Sequence, residues 1–508
     1  MERIDPALRR RPLHGVTASR EIERLASMEL PLLALVTRAA DALARLSLAI
    51  APNAAHIWIA AGPGNNGADG LLAAVNLARW GKRVTVTAPM NAQRRSAESV
   101  AAWTQAQEAG IAITTQPPAL EAADLAIDAL LGLGANRPPE DAIAQAVGTL
   151  NTQRCSVLAA DLPSGLNADS GMTSGGDCVR ATHTLSLLTL HPGLFTGRGR
   201  DQAGEVWFDD LRVGQHVVPD AWLNAGEDTT SGRNTASHSS HKGSFGDVAV
   251  VGGSSGMTGA ALLAARAAHA AGAGRVFVSV LDAGSMSIDA GRPELMFRHE
   301  WWASDVQTLS LATVVCGCGG GADIVDALPA LLRSSGRLVL DADALNAIAR
   351  ERGLASLLRG RAANGLTTVL TPHPLEAARL LGIDTHAVQA DRVFAAKALA
   401  SRYGCVAVLK GSGTVIASPR AIPVINSTGN SSLGTAGTGD VLAGWISGLW
   451  ARAAGGEAKD AKTPADLCAM AMSVAAAAVH AHGQAADRAG RVTLRAADLI
   501  EMLATRQA

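Results

Sequence analysis

The sequence predicts an α/β protein built as two tandem three-layer domains, each a parallel sheet wound between helices. Three observations predict it. Apolar runs of four to eight residues alternate with helical patterns along nearly the whole chain, the rhythm of repeated βαβ units. The 508 residues exceed what one core usually serves and fit about two to four domains. Finally, the stretch from Pro219 to His241, PDAWLNAGEDTTSGRNTASHSSH, is rich in Ser, Thr, Asn and Gly and has neither a helical nor a strand period. The expected plan is a first domain at 1–218, a linker at 219–240 and a second domain at 241–508.

Composition narrows the function classes. Only 9 Trp, 6 Phe and 1 Tyr are present, so the cores must be filled by aliphatic side chains, and 53 Gly suit many tight turns. Lys plus Arg at 44 against Asp plus Glu at 45 leaves a net charge of -1, which offers no field for nucleic acid or anionic lipid. Arg9 to Arg11 are followed by Pro12, His14 and a charged run, so no export signal is expected. Arg266, His269 and His480 interrupt the alanine-rich stretches before the roughly 18 apolar residues a membrane span requires. The six cysteines contain no C-x-x-C and suggest no disulfide framework, so a reducing cytoplasm is the expected location. Alanine-rich helical faces suit packing within the fold or between subunits, and a homo-oligomer is expected.

In the first half, strands are expected at 56–60, 83–88, 124–131 and 156–161, with helices over 70–80 and 93–110. The strand HIWIA runs into AGPGNNGADG, which puts a glycine-rich turn and a helix N-terminus at the carboxyl end of a strand, where anions bind. Asn65, Asn66 and Asp69 make that turn particular, the lesser alternative being that Asp69 simply caps the helix expected from Gly70. Two further strands end in polar sequence: IDALLGLGANR holds Asp128 inside an apolar run, and AADLPSG places Asp161 before Pro163 and Ser164. A buried Asp128 requires a cation or hydrogen-bond donors beside it. Side chains of Asn, Asp and Ser supply oxygen only, which suits a hard cation.

In the second half, strands are expected at 247–253, 275–280, 313–317, 337–343, 367–373 and 405–411. INSTGNSSLGTAGTGDVLAG gives Gly437, Thr438, Gly439 and Asp440 immediately before a helix carrying Val441, Leu442 and Trp445. The N–H groups of such a turn form an anion hole, and Asp440 stands where a substrate hydroxyl would approach a phosphate, the arrangement phosphoryl transfer requires. His373, between Pro372 and Pro374 at a strand end, is expected either to contact a ligand or to serve structurally. Lys410 is expected either to reach nucleotide phosphates or to be a strand-end charge. Cys316 and Cys318 lack further nearby ligands in the sequence, and no metal is expected there.

With these motifs assembled, the first half resembles, over about 15–215, the NAD(P)HX epimerases, a family whose domain also occurs as apolipoprotein A-I binding protein. The resemblance implies a Rossmann-like domain in which Asn65, Asn66, Gly67, Ala68, Asp69 and the segment Gly132, Leu133, Gly134, Ala135, Asn136, Arg137, Pro138 cradle the hydrated dinucleotide. It further implies that Asp161 contacts the reacting ring as acid and base, and that Asn66, Asp128 and Ser164 hold potassium. Ala68 stands where the family commonly has glycine, and LVTRAADALA departs from the usual first helix.

The second half, over about 241–503, resembles the ribokinase-like superfamily and, within it, the ADP/ATP-dependent NAD(P)HX dehydratases. Its carriers are KGSFG, GGSSGMTGAALLAARAA, TPHPLEAARLLG, LKGSGTVI and GTAGTGDVLAG. The resemblance implies that Ala260, Gly319, His373 and Asp440 line the NAD(P)HX site. Lys410, Gly411, Ser412, Gly413, Thr414 and Gly439 would bind ADP or ATP with magnesium, ADP being the expected co-substrate, and Asp440 would be the base. GCGGG at 317–321 replaces the family's Gly-Pro-Gly-Leu-Gly. The implied function is repair of hydrated NADH and NADPH by epimerisation and nucleotide-dependent dehydration. The alternatives are a vitamin or sugar kinase of the same superfamily and a non-catalytic nucleotide-binding protein.

Overall fold

The computed structural model describes residues 1–5, 9–88, 96–134, 138–173, 175–226, 238, 241–282, 284, 286–455, 463–490 and 493–505. They fold into two compact α/β units, one formed by 11–223 with the first five residues, the other by the chain from Asn224 onward together with 9–10.

The first unit is an eight-stranded sheet. Its spatial order is Ala112–Thr114, Arg83–Thr87, His56–Ala61, Leu125–Ala129, Ser156–Ala160, His183–Leu187, Glu205–Asp209 and Glu2–Arg3. All neighbours are parallel except the last, an antiparallel edge. Successive residues of a strand face opposite sides, and both sides here are apolar. Ile57 and Ile59 enter one core with Ile127 and Leu158, whereas Trp58 and Ala60 enter another with Ala126 and Val157. This two-sided burial makes the three layers. The winding reverses between His56–Ala61 and Leu125–Ala129, which opens a crevice at the carboxyl ends of those two strands.

Three local expectations are corrected. The helix expected from Gly70 runs over Asn65–Arg79, so the Asn-rich turn is itself its first turn and Asp69 is not its cap. Ala68 already donates to Gly64 O at 3.1 Å. A side chain at Gly67 would place Cβ 1.9 Å from Gly62 O, so only glycine allows this close entry. The second helix is Ala97–Glu108, capped by Ser96, and 93–95 lie outside the described residues. The expected linker is not irregular throughout, because Ala221–Leu223 forms a strand pairing antiparallel with Arg11–Leu13. Ala221 and Leu223 are buried and Trp222 only half-buried, a strand period hidden in polar surroundings. Most of the remaining stretch, 227–237 and 239–240, lies outside the described residues.

The second unit orders its strands Met296–Phe297, Arg275–Val280, Asp247–Gly252, Thr313–Cys316, Arg337–Leu340, Thr367–Leu370, Val406–Leu409, Thr414–Ala417 and Val424–Asn426. The first seven are parallel and the last two antiparallel. Here the reversal lies between Asp247–Gly252 and Thr313–Cys316. Helix Pro464–Ala489 is long and apolar enough to cross a membrane by length and composition. In this unit it is a core helix: Ala471, Val474, Ala475 and Ala478 are buried, and it packs against Thr367–Leu370 and Thr438–Gly455.

Candidate active sites

In the first unit a cavity of about 450 Å³ occupies the crevice where the winding reverses. Asn65, Asn66, Asp69, Gly132, Leu133, Gly134 and Asp161 line it, joined by Glu23 and His191. Gly67, Ala68 and Pro138 do not; Ala68 is turned into the aliphatic core, where its methyl group packs as a helical residue with negative φ. Ala135, Asn136 and Arg137 lie outside the described residues.

Asp161 is held in the left-handed region, at φ 65. That twist turns its Oδ1 to within 3.2 Å of His191 Nε2. The other ring nitrogen of His191 lies 3.1 Å from His14 O. Both ring nitrogens therefore face acceptors, which the doubly protonated ring satisfies best. Burial pulls the His191 pKa down, but the charge and hydrogen bond of Asp161 and the His14 carbonyl outweigh it, and the net shift is upward. Asp69 is buried, and burial followed by the charges of Asp161 and Glu23 lifts it well above the usual carboxylate range. Glu23 is raised by burial and then by Asp161, against a hydrogen bond from Asn65. The cavity thus holds the Asp161–His191 pair beside two carboxyls of raised pKa, a set suited to proton transfer.

A second cluster lies next to this cavity. Asp128 is fully buried and accepts from Ser164 Oγ at 2.6 Å, Ser164 N at 2.8 Å and Leu130 N at 3.2 Å. Burial still pushes it up to about 6, so three donors do not replace the solvent it has lost. Asn66 Nδ2 donates to Leu131 O at 2.9 Å, and Asn66 Oδ1 is buried with no partner among the described residues. An orphaned carbonyl oxygen beside a buried carboxylate and a hydroxyl is an all-oxygen donor set that fits a hard monovalent or divalent cation.

In the second unit, Gly437 at φ 89 leads into helix Thr438–Gly455, and its missing side chain leaves room for Leu263 and Ala496. Asp440 is in the first turn. His482, buried and held down to about 4, donates from Nε2 to Thr438 O at 2.9 Å and fixes that turn from below. Lys410 Nζ pairs with Asp341 Oδ1 at 2.7 Å and stands 3.4 Å from where a Gly439 side chain would begin. Thr371 Oγ1 also donates to Asp341 Oδ1, at 2.9 Å. Burial lowers the Lys410 pKa, but Asp341 and Glu376 reverse this and the net shift is upward, so its charge is secure. Asp440 is pushed up to about 6, first by burial and then by Asp341, with Cys318 and Lys410 opposing. A carboxylate of that basicity beside a helix N-terminus and a lysine is suited to take a hydroxyl proton while the backbone holds a phosphate.

Ala260 and Gly319 meet, since a Cβ on Gly319 would lie 2.9 Å from that of Ala260. Gly319 has φ 58 and a Cβ there would also lie 2.7 Å from Met257 O, so the position favours glycine whatever its neighbours in GCGGG. Cys318, Asp341 and Asp440 bring one donor atom each within 4.8 Å of one another. His373 is the N-cap of helix Pro374–Leu381: its Nδ1 accepts from Leu375 N and Glu376 N, each at 3.2 Å, while its ring stays largely exposed. Thr414 bonds back to Gly411 O, and Arg392 donates to the carbonyls of Leu409 and Lys410, bracing the Lys410–Thr414 loop. Sequence reasoning did not find Glu23, His191, Asp341, Thr371 or His482. Asp341 had a usable signal, because LVLDAD repeats the strand-then-Asp pattern of LAAD at Asp161.

These two sites define a two-headed α/β enzyme, one head a dinucleotide-type crevice and the other a phosphoryl-transfer cleft. Residues 32–193 match the family model described as YjeF-related protein N-terminus, and 248–505 match that of NAD(P)H-hydrate dehydratase. The bifunctional NAD(P)H-hydrate repair enzyme of Escherichia coli strain K12 is 36% identical over 83% of this chain and 81% of its own length. That of Coxiella burnetii is 33% identical over 95% and 97%. The ADP/ATP-dependent NAD(P)H-hydrate dehydratase of Bacillus subtilis, solved with ATP and magnesium, is 26% identical over 53% of this chain and 92% of its own, with a TM-score of 0.40. The chain belongs to the bifunctional NAD(P)H-hydrate repair enzyme family.

Proposed function

We propose that the chain repairs hydrated NADH and NADPH, its first unit exchanging the two epimers and its second dehydrating one of them at the expense of ADP or ATP. The observation that carries the second half is Asp440, raised to about 6 at the N-terminus of Thr438–Gly455 with Lys410 beside it. The hydroxyl of the hydrate is a poor leaving group. Asp440 takes its proton, the oxygen attacks the terminal phosphorus, and the bond to AMP (from ADP) or ADP (from ATP) breaks. The new phosphoester then leaves as phosphate while the adjacent ring carbon loses a proton, restoring the dihydronicotinamide. Lys410 and the helix N–H groups hold the transferring charge. Magnesium, carried by the nucleotide phosphates and water, would neutralise the remainder. ADP is the proposed co-substrate.

In the first unit, Asp161 is the proposed acid and base at the hydroxyl-bearing carbon, held by His191 and flanked by Asp69 and Glu23, whose carboxyl pKa values are raised. Reversible loss and return of water, or ring opening, inverts that carbon, and both routes need one proton delivered and one removed. Asn66, Asp128 and Ser164 are proposed to hold potassium, which would supply fixed positive charge at the crevice; the partnerless Asn66 Oδ1 supports this.

The test is recovery of dihydronicotinamide absorbance from mixed NADHX epimers with ADP or ATP and magnesium, for the natural chain and Asp440→Asn. Full recovery that the substitution lowers by roughly two to four orders of magnitude is expected. Absence of recovery with either nucleotide refutes the dehydratase, and recovery that stops at one epimer's share refutes the epimerase.

A further inference from the structure

The second unit holds a further cavity, about 600 Å³, that the catalytic groups do not use. Its walls include Gly321, Asp343, Asn346, Arg350 and Arg379. Asp343, Asn346 and Arg350 fall at i, i+3 and i+7 of helix Ala342–Arg350 and so share one face. Arg379 projects from helix Pro374–Leu381 and donates to Asn346 Oδ1 at 2.6 Å. Asp343 is already engaged, accepting from Gly321 N at 2.9 Å. Neither arginine has a carboxylate partner among the described residues, so two guanidinium charges face one groove whose lining holds a single carboxylate, Asp343.

The groove is built from the same elements as the catalytic cleft. Gly321 follows Gly319, which touches Ala260; helix Ala342–Arg350 starts from Asp341, the partner of Lys410; and helix Pro374–Leu381 starts from His373. Nine residues of helix at 1.5 Å each put Arg350 about 13 Å along the axis from Asp341. Arg350 is thus at the far end of the helix that Asp341 begins. Asp343 is near enough to Asp440 to raise its pKa, and Arg379 near enough to His373 to lower its own.

We propose that Arg350 and Arg379 bind a phosphate ester of the hydrated dinucleotide, anchoring the part of the substrate remote from the ring. This rests on the dehydratase reading. Two sources share the chemistry: the diphosphate, present in NADHX and NADPHX alike, and the 2′-phosphate, present in NADPHX alone.

The experiment is steady-state dehydration by the full chain at saturating ADP or ATP, with each substrate, for Arg350→Gln, Arg379→Gln and their lysine counterparts. Loss of one charge-assisted contact should raise the dinucleotide KM about ten-fold, with lysine intermediate, while kcat stays within about two-fold and the KM for ADP or ATP does not move. A rise for NADPHX alone assigns the 2′-phosphate, and an equal rise for both assigns the diphosphate. Arg359→Gln, exposed and outside the groove, is the control. Unchanged KM for both dinucleotides, or a rise in the nucleotide KM instead, overturns the proposal while leaving the dehydratase reading intact. Absence of turnover in the natural chain overturns that reading instead.

Discussion

Asp128→Asn gives the sharpest test of the oxygen cluster in the first unit. Asp128 is fully buried, and its Oδ1 receives Ser164 Oγ and Leu130 N while its Oδ2 receives Ser164 N. An amide turns one of those oxygens into a donor, so at least one buried N–H or O–H loses its acceptor. Each loss costs about 1–3 kcal/mol, and the pair of clashing donors makes about 2–4 kcal/mol the expectation at pH 7 in potassium, where the cation offsets the burial of the natural carboxylate. For a unit of this size that is roughly 6–12 °C in Tm. Potassium adds a second signature. A carboxyl at about 6 in the fold against 3.8 unfolded makes the fold less stable as pH rises from about 4 through 6, by ~3 kcal/mol at order of magnitude. A cation on Asp128 favours its charged form and offsets that loss. Calorimetry at pH 7 in potassium chloride and in the chloride of a large organic cation should therefore show one unfolding transition of the natural chain stabilised by potassium, with the gain vanishing by pH 5. In Asp128→Asn that transition should fall and cease to respond to potassium. A variant that melts with the natural chain and still responds to potassium would refute both the packing argument and the cation site.

Three other outcomes are expected. Dehydration measured across pH should fall below about pH 6 as Asp440 gains a proton, ten-fold per unit, and a flat profile down to pH 5 would remove Asp440 as base. Lys410→Met leaves Asp341 buried without its counter-charge, so chemical denaturation should show about 3–5 kcal/mol lost and the KM for ADP or ATP should rise at least ten-fold; an unaltered KM would contradict the phosphate role. His191→Gln removes the charge beside Asp161, so epimer exchange followed by magnetic resonance should slow while dehydration of the reactive epimer is untouched; equal slowing of both would indicate a folding defect instead.

The layers were legible because a doubly buried parallel strand is a continuous apolar run, and such runs recur with helices between them. The catalytic turns were legible for a related reason: Asn65, Asn66, Asp161 and Asp440 interrupt the apolar pattern at strand ends or helix starts. Glu23 and His191 do not. Glu23 sits on a helix dense in charges, REIER, where one acid turned inward looks like its solvated neighbours. His191 reaches Asp161 across a chain separation of 30 residues, which no local period encodes. The Asn65–Arg79 helix was expected five residues late because glycines mark a turn by propensity, whereas here the approach of Gly67 to Gly62 O overrides it. Ala221–Leu223 was concealed for the opposite reason, three residues being too short to display alternation.

The left-handed backbone of Asp161 bears on how this chain can be engineered. A non-glycine residue there holds its conformation at a cost of about 1 kcal/mol, which glycine would not incur. Asp161→Gly would nevertheless leave the buried His191 ring without its carboxylate partner, so the backbone relief and the loss of that pair oppose each other. Libraries built to stabilise this chain should hold position 161 fixed, since the residue that strains this turn is also the one that anchors His191.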